Sequence, residues 1–434
     1  MNVQSRPASD TDARVVPSES AQVGILSVIG LGYIGLPTAA MFASAGLEVV
    51  GVDVSPRVVE AVNGGRAHIE EGNLDELVER CVKSGKLRAT SAPVPADVFI
   101  IAVPTPIEAG DVPTPDLSYV RQAGESIAPL LKRGDLIILE STSPVGTTGM
   151  LARILHEVRP DLSFPDQAGE EADVCLAYCP ERIIPGQMLR ELVENDRVVG
   201  GMTLRCAERA AAVYKTFVRG VCHISTDRVA EMVKLTENAF RDVNIAFANE
   251  LSMICRDLDI DVWKVIEFAN RHPRVSILSP GAGVGGHCIA VDPWFVVASA
   301  PERARLIHLA RNVNDAKPEF VIEEVEQAIA AYPDRRVACL GLTYKADVDD
   351  FRESPALDIA TALSQKYGDT VVCVDPFAEA LPVAQASKRG LRFVGLDEAM
   401  RECGILVMLV PHQAFRAHPQ PESAVVVDPV GFWR

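Results

Sequence analysis

Residues 23–53 read "VGILSVIGLGYIGLPTAAMFASAGLEVVGVD" and decide the fold of the first part of the chain. The apolar run that ends at Gly30 is typical of a buried strand. A tight turn spans residues 30–35, an alanine-rich helical pattern follows, and a second strand, Glu48–Val52, ends in Asp53. Strand, turn, helix and strand in this order predict a parallel βαβ unit.

The turn carries three glycines, Gly30, Gly32 and Gly35, with the spacing of a dinucleotide site. The motif is weak alone, but here it follows a strand and opens a helix, which is the context it requires. Asp53, 18 residues beyond Gly35, would accept a hydrogen bond from a ribose hydroxyl and repel a 2′-phosphate. We therefore predict that the chain binds NAD rather than NADP. A glycine-rich turn without a ligand is the alternative.

Further apolar runs resemble buried strands, and helical patterns separate several of them. Alternation of this kind implies parallel strands with helical crossovers. The runs are "DVFIIAV" (97–103), "DLIILES" (135–141), "VCLAYCP" (174–180), "RRVACLGLTYKAD" (335–347), "DTVVCVDP" (369–376), "GILVMLVP" (404–411) and "SAVVVDP" (423–429).

Residues 227–258 contain neither glycine nor proline and predict one helix of roughly 45 Å. Such a helix suits a spine between domains and a dimer contact; two helices broken near Arg241 are the alternative. The predicted fold is α/β, with two Rossmann-like domains joined by a long central helix. The expected parts are a disordered extension (1–22), an NAD-binding domain (23–205), a helical dimerisation domain (206–315) and a second α/β domain (316–434).

Composition excludes several classes of protein. The 434 residues are 48% hydrophobic and 23% charged, as in a globular protein of two or three domains. A net charge of −17 argues against nucleic acid and anionic membranes as partners. The ten cysteines include no CxxC pair, so we predict no metal site and a reducing cytoplasmic compartment. No apolar run approaches the roughly 20 residues that span a bilayer.

Polar residues follow three of the predicted strands: Thr105 in "VPTP", Thr142 in "ESTSPVGTT" and Glu181 in "YCPERIIPG". Open α/β sheets bind ligands at the carboxyl ends of their strands, so we expect these side chains to converge. Lys234 and Asn238 are four residues apart and share a helix face. Taken alone, such a pair is more typical of a solvated face.

Residues 281–294, "GAGVGGHCIAVDPW", place glycines directly before Cys288. A loop, a metal site and a nucleophile are all compatible with this stretch, and a buried thiol is as compatible as a reactive one. As a nucleophile, Cys288 would use the glycines as room for a substrate carbon, Lys234 as a cation that favours the thiolate, and Asp292 as the base that activates water. His287 has no partner at metal-ligand spacing.

A thiol beside a nicotinamide has a specific use. An alcohol oxidised to an aldehyde can be trapped as a thiohemiacetal, oxidised again to a thioester and hydrolysed to an acid, with two NAD reduced. Lys234 and Asn238 would stabilise the oxygen charge. A single-step 3-hydroxyacid dehydrogenase is one alternative, but it leaves Cys288 and the C-terminal α/β domain without a role. A non-enzymatic nucleotide-sugar-binding regulator is another, but it leaves the filled catalytic positions without a role.

The chain resembles the UDP-glucose/GDP-mannose dehydrogenase family from about residue 23 onward. The resemblance implies an N-terminal NAD domain, a helical dimer-forming centre, a C-terminal UDP-binding domain and oxidation of a nucleotide sugar at C6. The stretches that carry it occur in family order: "GLGYIGLPTA", "VPTP", "ESTSPVGTT", "YCPERIIPG", "KLTENAFRDVNIAFANE", "GVGGHCIAVDP" and "GLTYKADVDDFRESPA".

The resemblance implies a role for each matching residue. Cys288 matches the nucleophile, Asp292 the acid that handles water, and Lys234 and Asn238 the pair that stabilises the oxyanion. The other implied positions are Thr142 and Glu181 near the reacting carbon; Gly30, Gly32, Tyr33, Ile34, Gly35, Asp53, Arg57 and Thr105 on NAD; and Arg182, Arg241, Gly285, Lys345 and Arg352 on the UDP-sugar, with Arg274 reaching a neighbouring subunit's site.

Within the family, the chain resembles the subgroup that oxidises UDP-N-acetyl-D-mannosamine for surface polysaccharide. The stretch "NRHPRVSILSPGAGVGGHCIAVDPWF" carries much of this likeness. Ala282 replaces the proline that is usual in this subgroup, which we expect to change the precision of the loop more than its chemistry. No single residue distinguishes this sugar from UDP-N-acetylglucosamine or UDP-glucose.

Overall fold

The computed structural model describes residues 23–69, 71–108, 110, 112–183 and 186–434. The predicted N-terminal extension, residues 1–22, lies outside the described residues. The chain forms two compact units, and the division between them follows Leu235.

The first unit is built on an eight-stranded sheet. Its strands are β1 (Ile25–Ile29), β2 (Glu48–Val52), β3 (Leu87–Thr90), β4 (Val98–Ile101), β7 (Leu136–Leu139), β8 (Cys175–Tyr178), β9 (Arg197–Gly201) and β10 (Cys222–Thr226), with a separate hairpin of β5 (Ile107–Glu108) and β6 (Thr114–Pro115). The sheet order is β3-β2-β1-β4-β7-β8-β9-β10, and every neighbouring pair is parallel except β8 with β9.

Helices cover both faces of this sheet. They are α1 (Gly35–Ser44), α2 (Pro56–Asn63), α3 (Leu74–Lys83), α4 (Ser118–Ile127), α5 (Thr147–Val158), α6 (Pro165–Ala168), α7 (Met188–Glu194) and α8 (Leu204–Tyr214). Along β4, Val98 and Ile100 pack into one core, and Phe99 and Ile101 into the other. Burial on both faces explains why these strands read as unbroken apolar runs.

The sheet of the first unit continues beyond residue 205, where the sequence suggested a change to helical structure. Strand β10 pairs in parallel with β9, and α8 packs against both. The difference has a simple cause: β10 reads "CHIST" and is a half-exposed edge strand without the apolar run that marks the central strands. Residues 206–226 therefore belong structurally with the N-terminal sheet.

Helix α9 (Asp227–Asp257) is one continuous helix of 31 residues. This confirms the predicted long central helix and excludes the alternative of a break near Arg241. At 1.5 Å per residue its length is about 47 Å. The division between the two units falls within this helix.

The second unit contains a helical part and a four-stranded parallel sheet, which confirms the second α/β domain of the predicted fold. Its helices are α10 (Val262–Ala269), α11 (Asp292–Ser299), α12 (Arg305–Ala331), α13 (Pro355–Tyr367), α14 (Val383–Lys388) and α15 (Leu396–Glu402). The strands are β11 (Val337–Leu340), β12 (Val371–Val374), β13 (Ile405–Met408) and β14 (Val425–Val427), in the order β12-β11-β13-β14.

The two sheets share one turn geometry. The amide of Gly30 donates to the carbonyl of Val52 at 2.8 Å, and the amide of Gly341 donates to that of Val374 at the same distance. In each unit the next amide donates to an aspartate at the end of the adjacent strand, at 3.0 Å to Asp53 and at 2.6 Å to Asp375. The second domain therefore repeats the strand-turn frame of the first.

Candidate active site

The glycine turn after β1 has three different local environments. Gly30 has a φ of +93°, and a Cβ there would lie 2.6 Å from the carbonyl oxygen of Ala102. A Cβ on Gly35 would lie 1.8 Å from the carbonyl oxygen of Gly30, whereas nothing lies within 4 Å of a Cβ on Gly32. The first and third glycines therefore permit close packing, and the second leaves open space at the start of α1, where a pyrophosphate fits.

Asp53 is held next to this turn. Its Oδ2 accepts from the amide of Leu31 at 3.0 Å, and its Oδ1 accepts from the amide of Ser55 at 2.9 Å. A carboxylate has about four acceptor sites, so two remain for ribose hydroxyls. Tyr33 and Arg57 are exposed beside the turn. This environment suits a dinucleotide that lacks a 2′-phosphate.

The polar residues at the strand ends share one edge of the sheet. Strands β2, β1, β4, β7 and β8 are consecutive neighbours and parallel, so the loops that follow them leave on the same side. Two of these loops are directly connected, because the Thr105 hydroxyl donates to the carbonyl of Thr142 at 2.7 Å. The strand order reverses between β1 and β4, and such a crevice is where open α/β sheets bind nucleotides.

Helix α9 contacts the same group of loops. The Lys234 ammonium donates to the carbonyl oxygen of Glu181 at 2.8 Å. One turn earlier, the buried Glu231 accepts from the amide of Gly146 at 2.6 Å and from both the amide and the hydroxyl of Thr148 at 2.8 Å. Glu231 thus caps α5 and anchors the loop that carries Thr142. Glu231 was not predicted from the sequence, because its partners lie more than 80 residues away.

Both oxygens of the Glu181 carboxylate accept hydrogen bonds within the first unit. Its Oε1 accepts from the amide of Arg182 at 2.8 Å, and its Oε2 accepts from the guanidinium of the buried Arg197 at 2.8 Å. The main-chain carbonyl of Glu181, rather than its side chain, contacts Lys234. Arg197 was not predicted from the sequence either. The only feature that indicates a special role is the position of a charged residue at the start of a strand.

Cys288 differs from the other cysteines. All ten lie in the described part of the chain and none forms a disulfide; eight are buried, Cys222 is half-buried, and Cys288 is exposed. The carbonyl of Cys288 accepts from the amides of Val291 and Asp292, which form the turn into α11. Burial therefore separates Cys288 from the cysteines that act as small core side chains.

Asp292 is the first residue of α11 and is almost completely buried. The Asn238 amide, on α9, donates to its Oδ2 at 2.5 Å. Asn238 and Asp292 are thus brought together, four residues from the thiol in sequence. A buried carboxylate held by an amide is suited to act as a base.

The glycines before Cys288 pack closely against another loop, whereas the sequence predicts that they leave room for a substrate carbon. A Cβ on Gly283 would lie 2.7 Å from Pro355, and one on Gly285 would lie 2.1 Å from the carbonyl oxygen of Glu353. A Cβ on Gly286, where φ is +87°, would lie 3.0 Å from the ring of Tyr344. These glycines let the cysteine loop pack closely on residues 343–355. Ala282, at the position of the usual proline, is buried in the same core.

A chain of amides anchors the start of this loop. The amide of Gly281 donates to Asn249 Oδ1 at 2.9 Å, and Asn249 donates to Asn314 Oδ1 at 2.9 Å. Asn314 in turn donates to the buried Asp242 at 2.8 Å. Together with Asn238, this chain fixes both ends of the cysteine loop to α9.

Residues 343–355 carry the predicted cations of the second unit. Lys345 is exposed, and Arg352 forms a bidentate pair with Asp350 at 2.6 and 2.9 Å. His287 Nε2 lies 3.9 Å from Asp350, and burial lowers the pKa of this histidine. Arg241 and Arg274 are exposed in this unit, and Arg182 is half-buried in the first.

Within the described residues, no group of three or more His, Cys, Asp or Glu side chains is arranged to hold a metal ion. Among the same residues, no helix has the length and apolar character needed to cross a membrane.

Family models match nearly the whole described chain. They are the NAD binding domain of the UDP-glucose/GDP-mannose dehydrogenase family (residues 25–218), its central domain (228–316) and its UDP binding domain (338–434). The chain belongs to the UDP-glucose/GDP-mannose dehydrogenase family. It is therefore an oxidoreductase of the nucleotide-sugar dehydrogenase class, with NAD as its cofactor.

Relatives within this family carry two different names. A Ralstonia nicotianae protein, named NDP-N-acetyl-D-galactosaminuronic acid dehydrogenase, is 55% identical over 94% of this chain and 96% of its own. The Campylobacter jejuni UDP-N-acetyl-D-mannosamine dehydrogenase is 54% identical over 91% and 97%. Among solved structures, the UDP-N-acetyl-mannosamine dehydrogenase from Staphylococcus aureus is 39% identical, with a TM-score of 0.83 over 94% of this chain and 99% of that one.

Proposed function

We propose that this dehydrogenase oxidises the C6 hydroxyl of UDP-N-acetyl-D-mannosamine to the carboxylate in two steps. The single observation that carries the two-step route is the exposed thiol of Cys288, which leads into the buried Asp292 and its Asn238 partner. The sugar is supported by the names of the Campylobacter and Staphylococcus relatives.

NAD supplies the hydride acceptor when it is bound. The glycine turn and the N-terminus of α1 would receive its pyrophosphate, since Gly32 leaves the backbone open there. Asp53 and Arg57 would contact the adenosine ribose. Tyr33, Ile34, Thr105 and Thr142 would line the remainder of the dinucleotide site.

Cys288 would hold the substrate between the two oxidations. The first removes a hydride from C6 and a proton from its hydroxyl, which gives an aldehyde. The Cys288 sulfur adds to that carbon as the thiol proton leaves and the aldehyde oxygen gains one, which gives a thiohemiacetal. Loss of a second hydride and the hydroxyl proton gives a thioester, and water then releases the carboxylate and restores the thiol.

The neighbouring polar groups would assist each step. Lys234 and Asn238 would stabilise negative charge on the substrate oxygen. Asp292 would take a proton from the water that attacks the thioester. Glu181 would act through its carbonyl, which orients the Lys234 ammonium.

The nucleotide of the substrate would bind to the second unit. Lys345 and Arg352 are cations suited to a diphosphate, and Arg352 would exchange Asp350 for phosphate oxygens. The other proposed contacts to the UDP-sugar come from Arg182, Arg241, Arg274 and Gly285, with Arg274 reaching the site of a neighbouring subunit.

We further propose that the protein is a homodimer. Phe240, Phe247 and Ile254, on α9, are 70%, 54% and 48% exposed and recur every seven residues, so they form one apolar stripe. Leu306 and Leu309 on α12 are likewise exposed. A second copy of the same helix would bury this stripe, as a coiled-coil seam does.

An enzyme of N-acetyl-D-galactosaminuronate metabolism is a second candidate, because the Ralstonia relatives carry that name at similar identity. The test is NADH formation over a panel of UDP-N-acetylmannosamine, UDP-N-acetylgalactosamine, UDP-N-acetylglucosamine and UDP-glucose. We expect the highest kcat/KM with UDP-N-acetylmannosamine. A preference for any other sugar of the panel would contradict the proposed substrate.

The cellular role follows from the product. A nucleotide-linked uronic acid is an activated building block, and we propose that it serves surface polysaccharide synthesis. Cysteines that form no disulfide bonds within the described residues are typical of the reducing cytoplasm, where we propose that the enzyme works.

A further inference from the structure

A buried polar cluster lies directly behind Glu181 in the first unit. Arg197 donates to Glu181 Oε2 at 2.8 Å, and its Nη1 lies 4.0 Å from Oε1 of Glu140. The Tyr214 hydroxyl donates to the same Glu140 oxygen at 3.0 Å. The side chains of Arg197 and Glu140 are 4% and 0% exposed, so water does not screen their charges.

The cluster holds two carboxyl groups but one cation among its own side chains, because the neighbouring Lys234 ammonium donates to the main-chain carbonyl of Glu181 and not to a carboxylate. The other groups that face Glu140 are Tyr214, Thr38 and, through its effect on the same charges, Cys179. Burial raises the pKa of Tyr214 and raises that of Cys179 to about 12, so both are neutral. Two ionised carboxylates would leave one buried negative charge without a counterion, which is costly. One of the two carboxyl groups therefore carries a proton.

Hydrogen bonds identify which carboxyl group is protonated. Each oxygen of Glu181 accepts from an N–H donor at 2.8 Å, as an ionised carboxylate requires. Glu140 accepts from Tyr214 through one oxygen, whereas its Oε2 makes no hydrogen bond of ordinary geometry among the described residues, although the Thr38 hydroxyl faces the same carboxyl group. The distance from Glu140 Oε1 to Arg197 Nη1, 4.0 Å, is too long for a hydrogen bond. The proton therefore belongs to Glu140.

We propose that Glu140 is a positioning residue that works as a neutral carboxylic acid. In this state Glu140 does not compete with Glu181 for the hydrogen bond from the Arg197 guanidinium. Glu181 therefore keeps its position, and its main-chain carbonyl accepts from the Lys234 ammonium. The importance of this contact for catalysis rests on the proposed function, in which Lys234 stabilises the substrate oxygen. The protonation state of Glu140 does not depend on that function.

The pKa of Glu140 agrees with the geometry. Burial and then the negative charge of Glu181 raise it to about 8, against the opposing effect of Arg197. Above that pH, Glu140 ionises and competes with Glu181 for Arg197. Because the folded pKa lies above the unfolded one, the stability that this group contributes is complete below its ordinary pKa and is lost as pH rises towards 8.

The direct test is infrared spectroscopy of the full-length protein as a function of pH. The difference spectrum of wild type minus Glu140→Gln should contain a carboxylic-acid C=O band at about pH 6 that disappears by about pH 10. Tyr214→Phe is the second variant: it removes a donor that favours the ionised form, so the midpoint of the band should move to higher pH. This variant also assigns the band if Glu140→Gln does not fold.

Kinetics test the connection to Lys234. In Glu140→Gln, the ratio of kcat at about pH 9 to kcat at about pH 7 should exceed that of wild type, because the glutamine stays neutral. Absence of the acid band at about pH 6 would overturn the protonation. A present band with an unchanged kcat ratio would overturn the positioning role. Failure of the wild type to oxidise any UDP-sugar would instead refute the proposed function, and the infrared result would still stand.

Discussion

At the scale of single residues, burial and hydrogen bonding distinguish candidate catalytic side chains from side chains that only pack in the core. Ten cysteines look alike in the sequence, but eight are buried and Cys288 is exposed. Asp292 is buried and paired with Asn238, which distinguishes it from the many exposed acids of this −17 chain. An exposed thiol and a carboxylate held by an amide suit the proposed roles of nucleophile and base.

Replacement of Asp292 by asparagine should stop the reaction at the thioester. We expect hydrolysis to slow by roughly 100-fold or more, the contribution typical of a general base, while the two hydride transfers continue. Rapid mixing should then show a burst of NADH, and intact mass spectrometry should show the acyl adduct. Asp369→Asn, at an exposed position, is the control, and it should show no burst of NADH. A slow variant with neither burst nor adduct would contradict the role of Asp292.

At the scale of secondary-structure elements, α9 carries anchoring side chains in each of the two units. Its Glu231 anchors the Thr142 loop and its Lys234 contacts Glu181 in the first unit; its Asn238 and Asn249 anchor the cysteine loop in the second. Each of these anchors fixes a loop to α9 within its own unit.

Glu231→Gln tests the anchoring of the Thr142 loop. The side-chain oxygen of glutamine can replace one carboxylate oxygen and accept from Thr148. The side-chain NH₂ group replaces the other oxygen and cannot accept from the backbone N–H of Gly146, so that buried donor loses its partner. We expect the first unit to lose about 1–3 kcal/mol of unfolding free energy, measured in urea. Glu250→Gln, exposed on the same helix, is the matched control. Equal stability of both variants would show that the cap contributes nothing.

Elements with strong local patterns could be predicted, and those defined by distant partners could not. Central strands such as β4 are apolar on both faces, and the helix of residues 227–257 lacks breakers, so both are visible in the sequence. The edge strand β10 has no apolar run. From the sequence, the glycines before Cys288 are expected to leave open space. They pack instead against Glu353 and Pro355, which come some 70 residues later and could not be identified as neighbours from the local sequence. Arg197 and Glu231 were missed for the same reason.

At the scale of the whole molecule, the exposed stripe of α9 is the strongest indication of assembly. Phe247→Glu should place a charge at the centre of this stripe and convert the dimer to a monomer, measured by sedimentation at micromolar concentration. Val383→Glu is the control, because Val383 is 81% exposed on α14 and outside the stripe. A dimer that survives Phe247→Glu would contradict the proposed interface.

The order of domains could also be predicted at this scale, since the dinucleotide turn and the long helix each have a local signature. The choice of sugar could not, because N-acetylmannosamine and N-acetylgalactosamine differ only in configuration at C2 and C4, and relatives at 54–55% identity are named for one or the other. The proposed two-step chemistry, by contrast, depends on one atom, the sulfur of Cys288.

The most direct test of that chemistry is the ratio of NADH formed to UDP-sugar consumed, measured together with the product by mass spectrometry. The wild type should form two NADH and one uronate for each sugar, because the thioester must be hydrolysed before the enzyme turns over. Cys288→Ala should form no uronate, because the aldehyde cannot be held for the second oxidation. Two NADH and a full yield of uronate from Cys288→Ala would contradict the covalent route.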